Sequence, residues 1–188
     1  MRHLFSLLNF PVRRRLEALR PRLHRLAFAW CHDAALADDL VQDCLAKALV
    51  NAGQLRDEQA LEGWLFSILN NCWRDHLRGR RDFLDVADLD EVVVSDAPGP
   101  EQEYATRQTV QRVRRAIATL PVGQRQVLTL VDIEECAYAE VARILEVPVG
   151  TVMSRLSRAR QALKQRLTAE TAAGDPVVRP FKTIRRVK

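Results

Sequence analysis

The sequence has few aromatic residues, few cysteines, glycines and prolines, and no long uncharged run. Aromatic residues make up 6% of the 188 residues, and the chain has only 7 glycines, 8 prolines and 4 cysteines. The longest stretch without a charged residue is 11 residues, Gly63 to Trp73, whereas a helix that crosses a bilayer needs about 20 apolar residues. We therefore expect no membrane insertion, and we find no alternating β-branched and aromatic runs of the kind that predict strands.

The cysteines are too scattered for a disulfide framework or a zinc site with paired ligands. They stand singly at Cys31, Cys44, Cys72 and Cys136. Disulfide scaffolds and CxxC zinc sites use close, paired spacings, so this pattern favours four buried, reduced thiols. Cys31 next to His32, and Cys72 four residues before His76, leave a small metal-dependent enzyme as a remote alternative. We expect no metal, no cofactor and no catalytic residue.

What the chain does have is helix-forming residues and an uneven distribution of charge. Ala, Leu, Arg, Glu and Gln dominate, which predicts an all-α protein, and 47% hydrophobic residues are enough for a core. The net charge of +5 divides into +4 over residues 1–81, −8 over 82–103 and +9 over 104–188. The acidic segment has no helical stripe and ends in turn formers, so it predicts a flexible linker between two small helical domains.

The first block, 1–81, predicts a helical bundle. A first helix has the apolar stripe Leu16, Leu19, Leu23, Leu26 and Trp30, and we expect Pro21 where one helix follows another or near a first turn. Asp33 is placed to cap a second helix, whose apolar stripe is Leu36, Leu40, Cys44 and Ala48. Its opposite face is acidic and carries Asp38, Asp39, Gln42 and Asp43. That face is either solvated or binds a partner.

A third helix is predicted from about Ala60 to Arg80. Its inward stripe is Leu61, Leu65, Ile68, Leu69 and Cys72, and Trp64 and Trp73 flank the boundary between the faces. The outward residues are Ser67, Asn70, Asn71, Arg74 and Arg78, followed by Arg80 and Arg81. Amides, guanidinium groups and edge aromatics suit melted nucleic acid, because phosphates attract arginine and unstacked bases stack on flat rings. Core anchoring is the alternative for the two tryptophans.

The second block, 104–170, predicts four helices that end in a helix-turn-helix. One helix ends before Pro121 and a second begins there. A short third helix, with Val141, Ala142 and Leu145 inward, is broken at Val147-Pro148, because the residue before a proline disfavours the helical region. The helix that follows has the inward stripe Val152, Leu156, Ala159 and Leu163. Its outer face is polar and basic, with Ser154, Ser157, Arg158 and Gln161 exposed and Arg155 on the shoulder. Such a helix reads the major groove.

Together the two blocks resemble the extracytoplasmic-function (ECF) sigma factors of the sigma-70 family. The stretch from Asp38 to Ala48 resembles the family's core-binding helix, and the stretch from Gly63 to Arg78 its promoter-melting helix. The segments 120–127 and 148–160 resemble its second DNA-binding domain. The resemblance covers roughly residues 14–167.

The resemblance implies specific partners and roles. The acidic helix would dock on the β′ coiled-coil of core RNA polymerase through Asp38, Asp39, Gln42 and Asp43. The third helix would read the minus-ten element as a melted strand through Trp64, Asn71, Arg74, Arg78, Arg80 and Arg81. The helix-turn-helix would read the minus-thirty-five duplex through Thr151, Ser154, Arg155, Ser157 and Arg158. Other implied partners are the polymerase β flap and an anti-sigma factor.

The resemblance also implies a non-enzymatic, cytoplasmic initiation factor. Sigma region 2 would occupy residues 1–81, the linker 82–103 and region 4 residues 104–170, while the basic tail 171–188 has no family counterpart and is predicted to be disordered. His76 and Cys136 depart from the family's usual residues. The alternative is a stand-alone helix-turn-helix regulator, which leaves the acidic face of the first block without a role.

Overall fold

The computed structural model describes residues 10–55, 57–83 and 104–172. Every regular element in these ranges is helical, which confirms the all-α prediction. The predicted linker and basic tail lie almost entirely outside the described residues, as do residues 1–9. None of the helices described is both long enough and apolar enough to traverse a lipid bilayer.

In the described residues of the first half, 10–55 and 57–83, there are three long helices. They are α1 (Phe10–Cys31), α2 (Ala34–Val50) and α3 (Leu61–Phe83), and two single 3-10 turns, Ala52–Gln54 and Glu58–Ala60, join α2 to α3. The side chain of Asp33 accepts a 3.0 Å hydrogen bond from the Leu36 amide, as expected for the N-cap of α2. The three helices pack on one another along their apolar stripes.

Pro21 lies in the middle of α1, not at a junction of two helices as expected. The helix continues through it because Pro21 is exposed, while Leu23 and Leu26 after it are buried in the same stripe as Leu16 before it. Proline removes one backbone donor and kinks a helix, yet burial of the stripe on both sides keeps the helix continuous.

The described residues of the second half, 104–172, form four helices. They are α4 (Tyr104–Ala118), α5 (Val122–Leu128), α6 (Tyr138–Leu145) and α7 (Val149–Ala172), and a π turn, Thr129–Ile133, extends α5. The Thr129 hydroxyl lies 2.9 Å from the carbonyl oxygen of Arg125. A threonine hydroxyl that bonds the carbonyl four residues before it slightly destabilises a helix and often bends it.

The two halves share one core. Buried residues of α1, α2 and α3 are continuous with buried residues of α5, α6 and α7, and α6 packs along α3. Two chain segments that the charge pattern separates into domains are therefore in direct contact. This contact determines which of the predicted functional faces are accessible.

Candidate nucleic-acid interface

The acidic face of α2 is exposed, as predicted. Five residues of the helix are buried against α1 and α3, namely Ala37, Leu40, Val41, Cys44 and Ala48. The opposite residues Asp38, Asp39, Gln42 and Asp43 are all exposed. Asp38 lies 3.6 Å from the His24 imidazole. The face thus presents three carboxylates and an amide to solvent within two helical turns.

The four cysteines are free thiols. Cys44, Cys72 and Cys136 are buried and Cys31 is half-buried, and all four are unpaired. Burial raises the pKa of Cys44 and of Cys136 to about 12, so both are protonated at neutral pH. In the ranges that the structure describes, no group of three or more His, Cys, Asp or Glu side chains is arranged to hold a metal ion.

The predicted DNA-reading face of α3 is only partly open. Asn71 and Arg78 are exposed and Trp64 is partly exposed. Arg80 and Arg81 lie in the last turns of the helix. Asn70, which periodicity places among the outward residues, is instead 1% exposed. The outward assignment of Asn70 is wrong because α6 covers this stripe of the helix.

Asn70 belongs to a buried hydrogen-bonded chain between the halves. Its amide nitrogen donates to the backbone carbonyl of Ile144 in α6 at 3.1 Å. Its amide oxygen accepts from the side chain of Gln126 in α5 at 2.9 Å. Both polar ends of Asn70 are thus satisfied by the second half, which is the condition for burying an amide without a large penalty.

Two other residues of α3 have contacts that limit their access to a nucleic acid. Arg74 donates a 2.5 Å hydrogen bond to the carboxylate of Glu146, the residue that ends α6. Trp73 is 5% exposed and stacks on His76, with ring centroids 5.7 Å apart. Trp73 is therefore a core residue, whereas Trp64 remains partly accessible.

The helix-turn-helix has the predicted turn. Glu146 adopts a left-handed conformation with φ 56°, and the amides of Glu146 and Val147 both reach the carbonyl of Ala142. A left-handed residue after the last helical turn is a common way to end a helix. Pro148 then precedes α7, and the Thr151 amide donates to its carbonyl at 2.9 Å.

The outer face of α7 is exposed over its first three turns. Val152, Leu156 and Ala159 are buried, so the helix is fixed with the predicted polar side outward. The exposed members of that side are Ser154, Ser157, Arg158 and Gln161. Serine, arginine and glutamine side chains in this arrangement supply hydrogen bonds to base edges and phosphates.

One arginine and one threonine of this face are half-buried, and a further arginine, Arg160, is exposed but paired. Thr151 and Arg155 are half-buried. The guanidinium of Arg155 lies against Gly123 of α5, 3.1 Å from where a Cβ of residue 123 would stand. Arg160 makes two hydrogen bonds to Asp132, at 2.5 and 3.1 Å. Arg160 is therefore engaged within the second half, while Arg158 points to solvent.

Polar residues of α1 outside the predicted sites contact the second half, and one of them also contacts α3. The Trp30 indole donates to the Thr129 hydroxyl at 2.8 Å. Arg22 forms an ion pair with Glu134 and another, at 2.5 Å, with Glu62. Burial opposes the charge of Arg22, but these two carboxylates outweigh it and raise its pKa. In the sequence, such a buried polar contact is indicated only by a polar side chain that lies within or beside an apolar helical stripe.

Comparisons with known families match both halves. Residues 16–83 match the family model Sigma-70 region 2, and residues 110–163 match Sigma-70, region 4. The chain is 34% identical over 151 residues to the RNA polymerase sigma-H factor of Pseudomonas aeruginosa, covering 76% of this chain and 78% of that relative. It is also 34% identical over 153 residues to the ECF RNA polymerase sigma factor EcfG of Rhodopseudomonas palustris, covering 81% and 82%.

Solved structures resemble the fold across both halves. One is the sigma factor RpoE in complex with the anti-sigma factor NepR from Bartonella quintana, with a TM-score of 0.67, 27% identity and coverage of 84% of this chain and 97% of that chain. Another is CnrH in complex with the cytosolic domain of CnrY, with a TM-score of 0.58, 26% identity and coverage of 84% and 90%.

Proposed function

The chain belongs to the ECF sigma factors of the sigma-70 family, which are transcription initiation factors and not enzymes. From this we propose which of its surfaces binds core polymerase and which bind promoter DNA. It directs RNA polymerase to promoters. The observation that supports the division is the order of regions 2 and 4 on one chain, with an exposed acidic face on α2 and an exposed polar face on α7.

The acidic face of α2 is the proposed contact with the core enzyme. Asp38, Asp39, Gln42 and Asp43 would bind the β′ coiled-coil, since four exposed acceptors within two turns suit a basic helical partner. The second half would contact the β flap. These assignments follow the family's pattern onto matching positions of this chain, and burial of the opposite stripe of α2 supports them by keeping this face outward.

The two DNA-reading surfaces lie on α3 and α7. On α3 we assign Trp64, Asn71, Arg74, Arg78, Arg80 and Arg81 to the melted minus-ten strand. On α7 we assign Thr151, Ser154, Arg155, Ser157 and Arg158 to the minus-thirty-five duplex. The exposure of Arg158 supports a direct base or phosphate contact, whereas the position of Arg155 beside Gly123 favours a phosphate at the edge of the groove.

The proposed boundaries are region 2 over 1–81, an acidic linker over 82–103, region 4 over 104–170 and a basic tail over 171–188. The linker would lie near the path by which RNA leaves the polymerase, since its charge of −8 resembles that of a nucleic acid. The protein would act in the cytoplasm, where core polymerase is found. Similarity to RpoE bound by NepR and to CnrH bound by CnrY supports control of this chain by an anti-sigma factor.

Run-off transcription tests this proposal. Core RNA polymerase is supplied with a library of genomic promoter fragments, with and without the protein, and start sites are mapped. The proposal predicts new start sites only when the protein is present, and co-elution of the protein with core enzyme. A stand-alone regulator instead binds an operator duplex tightly without polymerase and creates no start sites, and that result would overturn the proposal.

A further inference from the structure

Two apolar side chains are exposed at the start of α7. Val149 is 42% exposed and Met153 is 54% exposed. They stand four residues apart, so both lie on the same side of the helix. Single exposed apolar residues are common on protein surfaces, but these two adjoin the surface of α7 that is assigned to duplex DNA. The pair is therefore placed where a DNA-reading helix meets its duplex.

The packing of α7 fixes where Met153 lies relative to the polar reading residues. Val152 is completely buried, and Met153 follows it by about 100° around the helix. Ser157 stands one turn after Met153 on the same side and is exposed, as is Arg158. Met153 therefore borders the exposed polar row of α7 and is held outward by the burial of its neighbour.

The polar residues of this face cannot detect one feature of a base pair. In the major groove each base pair presents hydrogen-bonding groups, and thymine also presents its C5 methyl. Serine and arginine side chains bond to donors and acceptors, whereas the methyl requires an apolar contact. Methionine is uncharged, flexible and polarizable, and it packs on apolar groups of varied shape. Met153 thus has the chemistry that recognises thymine.

The charge around the pair favours DNA over a protein partner. Residues 104–188 carry a net charge of +9, and the exposed Arg158 and Lys164 lie on α7 with the pair. A stable protein interface uses about 20–30 residues on each side, and two apolar residues beside a basic surface are a small part of that. A polyanion that carries an isolated methyl group matches both the charge and the size of the patch.

Met153 and Arg158 reach different base pairs of one site. Five residues separate them, which is about 7.5 Å along the helix axis, or about two base-pair steps of 3.4 Å. A contact from Met153 therefore adds a sequence preference at its own position, and it does not replace the contact of Arg158.

We propose that Met153, with Val149 beside it, is a specificity-determining residue that packs against the C5 methyl of a thymine in the major groove of the duplex bound by α7. This inference rests on the proposed function of α7. It adds an apolar contact to a surface whose other assigned residues are all polar.

The test removes one methyl group from the DNA and the apolar side chain from the protein. The full chain, alone and with core polymerase, selects duplexes from a pool of randomised sequence. Each thymine of the selected site is then replaced singly by uracil, which keeps the hydrogen-bonding groups of the base and lacks the methyl.

Three variants are compared with the parent. Met153→Gln gives a polar side chain of similar length, and Met153→Leu keeps an apolar one. Val110→Gln is the control, because Val110 is also 42% exposed but lies on α4. Fluorescence anisotropy measures the affinity of each protein for the thymine and uracil duplexes.

We expect the parent, Met153→Leu and Val110→Gln to bind one thymine duplex about fourfold more tightly than its uracil counterpart, which is the effect of burying one methyl group. Met153→Gln should bind the two duplexes equally. A residue with a purely structural role would change both affinities by the same factor and leave their ratio unchanged.

Equal binding of thymine and uracil duplexes by the parent at every thymine of the site would overturn the proposal, as would a ratio for Met153→Gln equal to that of the parent. If that unchanged ratio comes with weaker binding to core polymerase, Met153 belongs to a protein contact. If the full chain enriches no duplex under either condition, the DNA assignment of α7 fails together with this inference.

Run-off transcription separates this inference from the proposed function. If the parent supports no new start sites, the proposed function fails. The thymine-to-uracil ratio measured with the chain alone then still decides whether Met153 contacts the methyl.

Discussion

The guanidinium of Arg125 donates a 2.6 Å hydrogen bond to the backbone carbonyl of Trp30, and the Trp30 indole donates to Thr129, one turn after Arg125. The two bonds join the end of α1 to α5. Arg125 also donates to the carbonyls of Ala118 and Leu120, at 3.0 and 2.9 Å. One buried guanidinium thereby satisfies the carbonyls of Trp30 and Ala118 at the ends of α1 and α4, where helices leave carbonyls unpaired, and that of Leu120 in the turn before α5.

Replacing Arg125 with glutamine should lower the free energy of unfolding by about 2–3 kcal/mol, because buried carbonyls then lose their donors. Urea denaturation followed by circular dichroism measures the change. Arg143→Gln is the control, since Arg143 is an exposed arginine of α6. A midpoint for Arg125→Gln equal to that of Arg143→Gln would show that the three carbonyls do not depend on this side chain.

Asp43→Asn should weaken binding to core polymerase several-fold without regard to promoter sequence, because it removes one charge from the acidic face of α2 and keeps the shape of the side chain. Binding of labelled protein to core enzyme measures the affinity. Glu135→Gln removes a charge that is also exposed, but away from α2, and should leave the affinity unchanged. Equal affinities for the parent and Asp43→Asn would remove Asp43 from the interface.

Arg158→Ala should reduce transcription about tenfold or more from promoters that depend on the upstream element, since a good arginine contact to a base contributes about 1–3 kcal/mol. Run-off transcription with parent and altered minus-thirty-five sequences measures the effect. Arg166→Ala is the control and should have little effect, because Arg166 is also exposed on α7 but lies about two helical turns after Arg158. Uniform loss on all promoters would assign Arg158 to phosphate contact instead.

His32 should make stability depend on pH. Burial, with the nearby charge of Arg125, lowers its pKa from 6.5 to about 4. Between these values the unfolded chain binds the proton more readily, so stability is complete above about pH 6.5 and falls as pH decreases toward 4. Thermal melts of the parent and His32→Asn at pH 7.5, 6 and 5 measure this, since asparagine tolerates the left-handed backbone at φ 57°.

The expected result is that the parent loses melting temperature relative to His32→Asn as pH decreases. The difference between the two proteins at pH 7.5 serves as the reference. A constant difference across the three pH values would mean that His32 titrates alike in the folded and unfolded chains.

The two glycines inside α3 should respond differently to alanine. Alanine in a helix interior is more stable than glycine by roughly 0.5–1 kcal/mol. Apart from its chain neighbours and the backbone of its own helix, the described residues place no atom within 4 Å of where a Cβ would stand at Gly79, whereas Glu140 Oε1 lies 2.5 Å from that point at Gly63. Gly79→Ala should therefore gain more stability in urea denaturation than Gly63→Ala, where the Glu140 carboxylate must turn away. Equal gains would mean that Glu140 moves without cost.

Local patterns in the sequence predicted most of the helices. The buried stripe of α2 and its Asp33 cap were predicted from residues three or four positions apart, and the end of the helix before α7 from Pro148 and its neighbour. The interpretation of Asn70 as an outward residue was wrong, because periodicity identifies the polar side of a helix without indicating whether another helix covers it. For the same reason the sequence pattern does not predict a role for Arg125, although its side chain donates to three backbone carbonyls.

The sequence by itself determined the class of the protein, since each amphipathic stripe and each turn is encoded within about one or two helical turns, and the two motif sets stand in the family's order. Only the tertiary structure decided that the halves close on one another. Asn70 and Gln126 are 56 residues apart, and Arg74 and Glu146 are 72 apart. Pairing between polar groups so distant depends on how the helices pack, because the partner of a buried donor is fixed by three-dimensional placement and not by spacing along the chain.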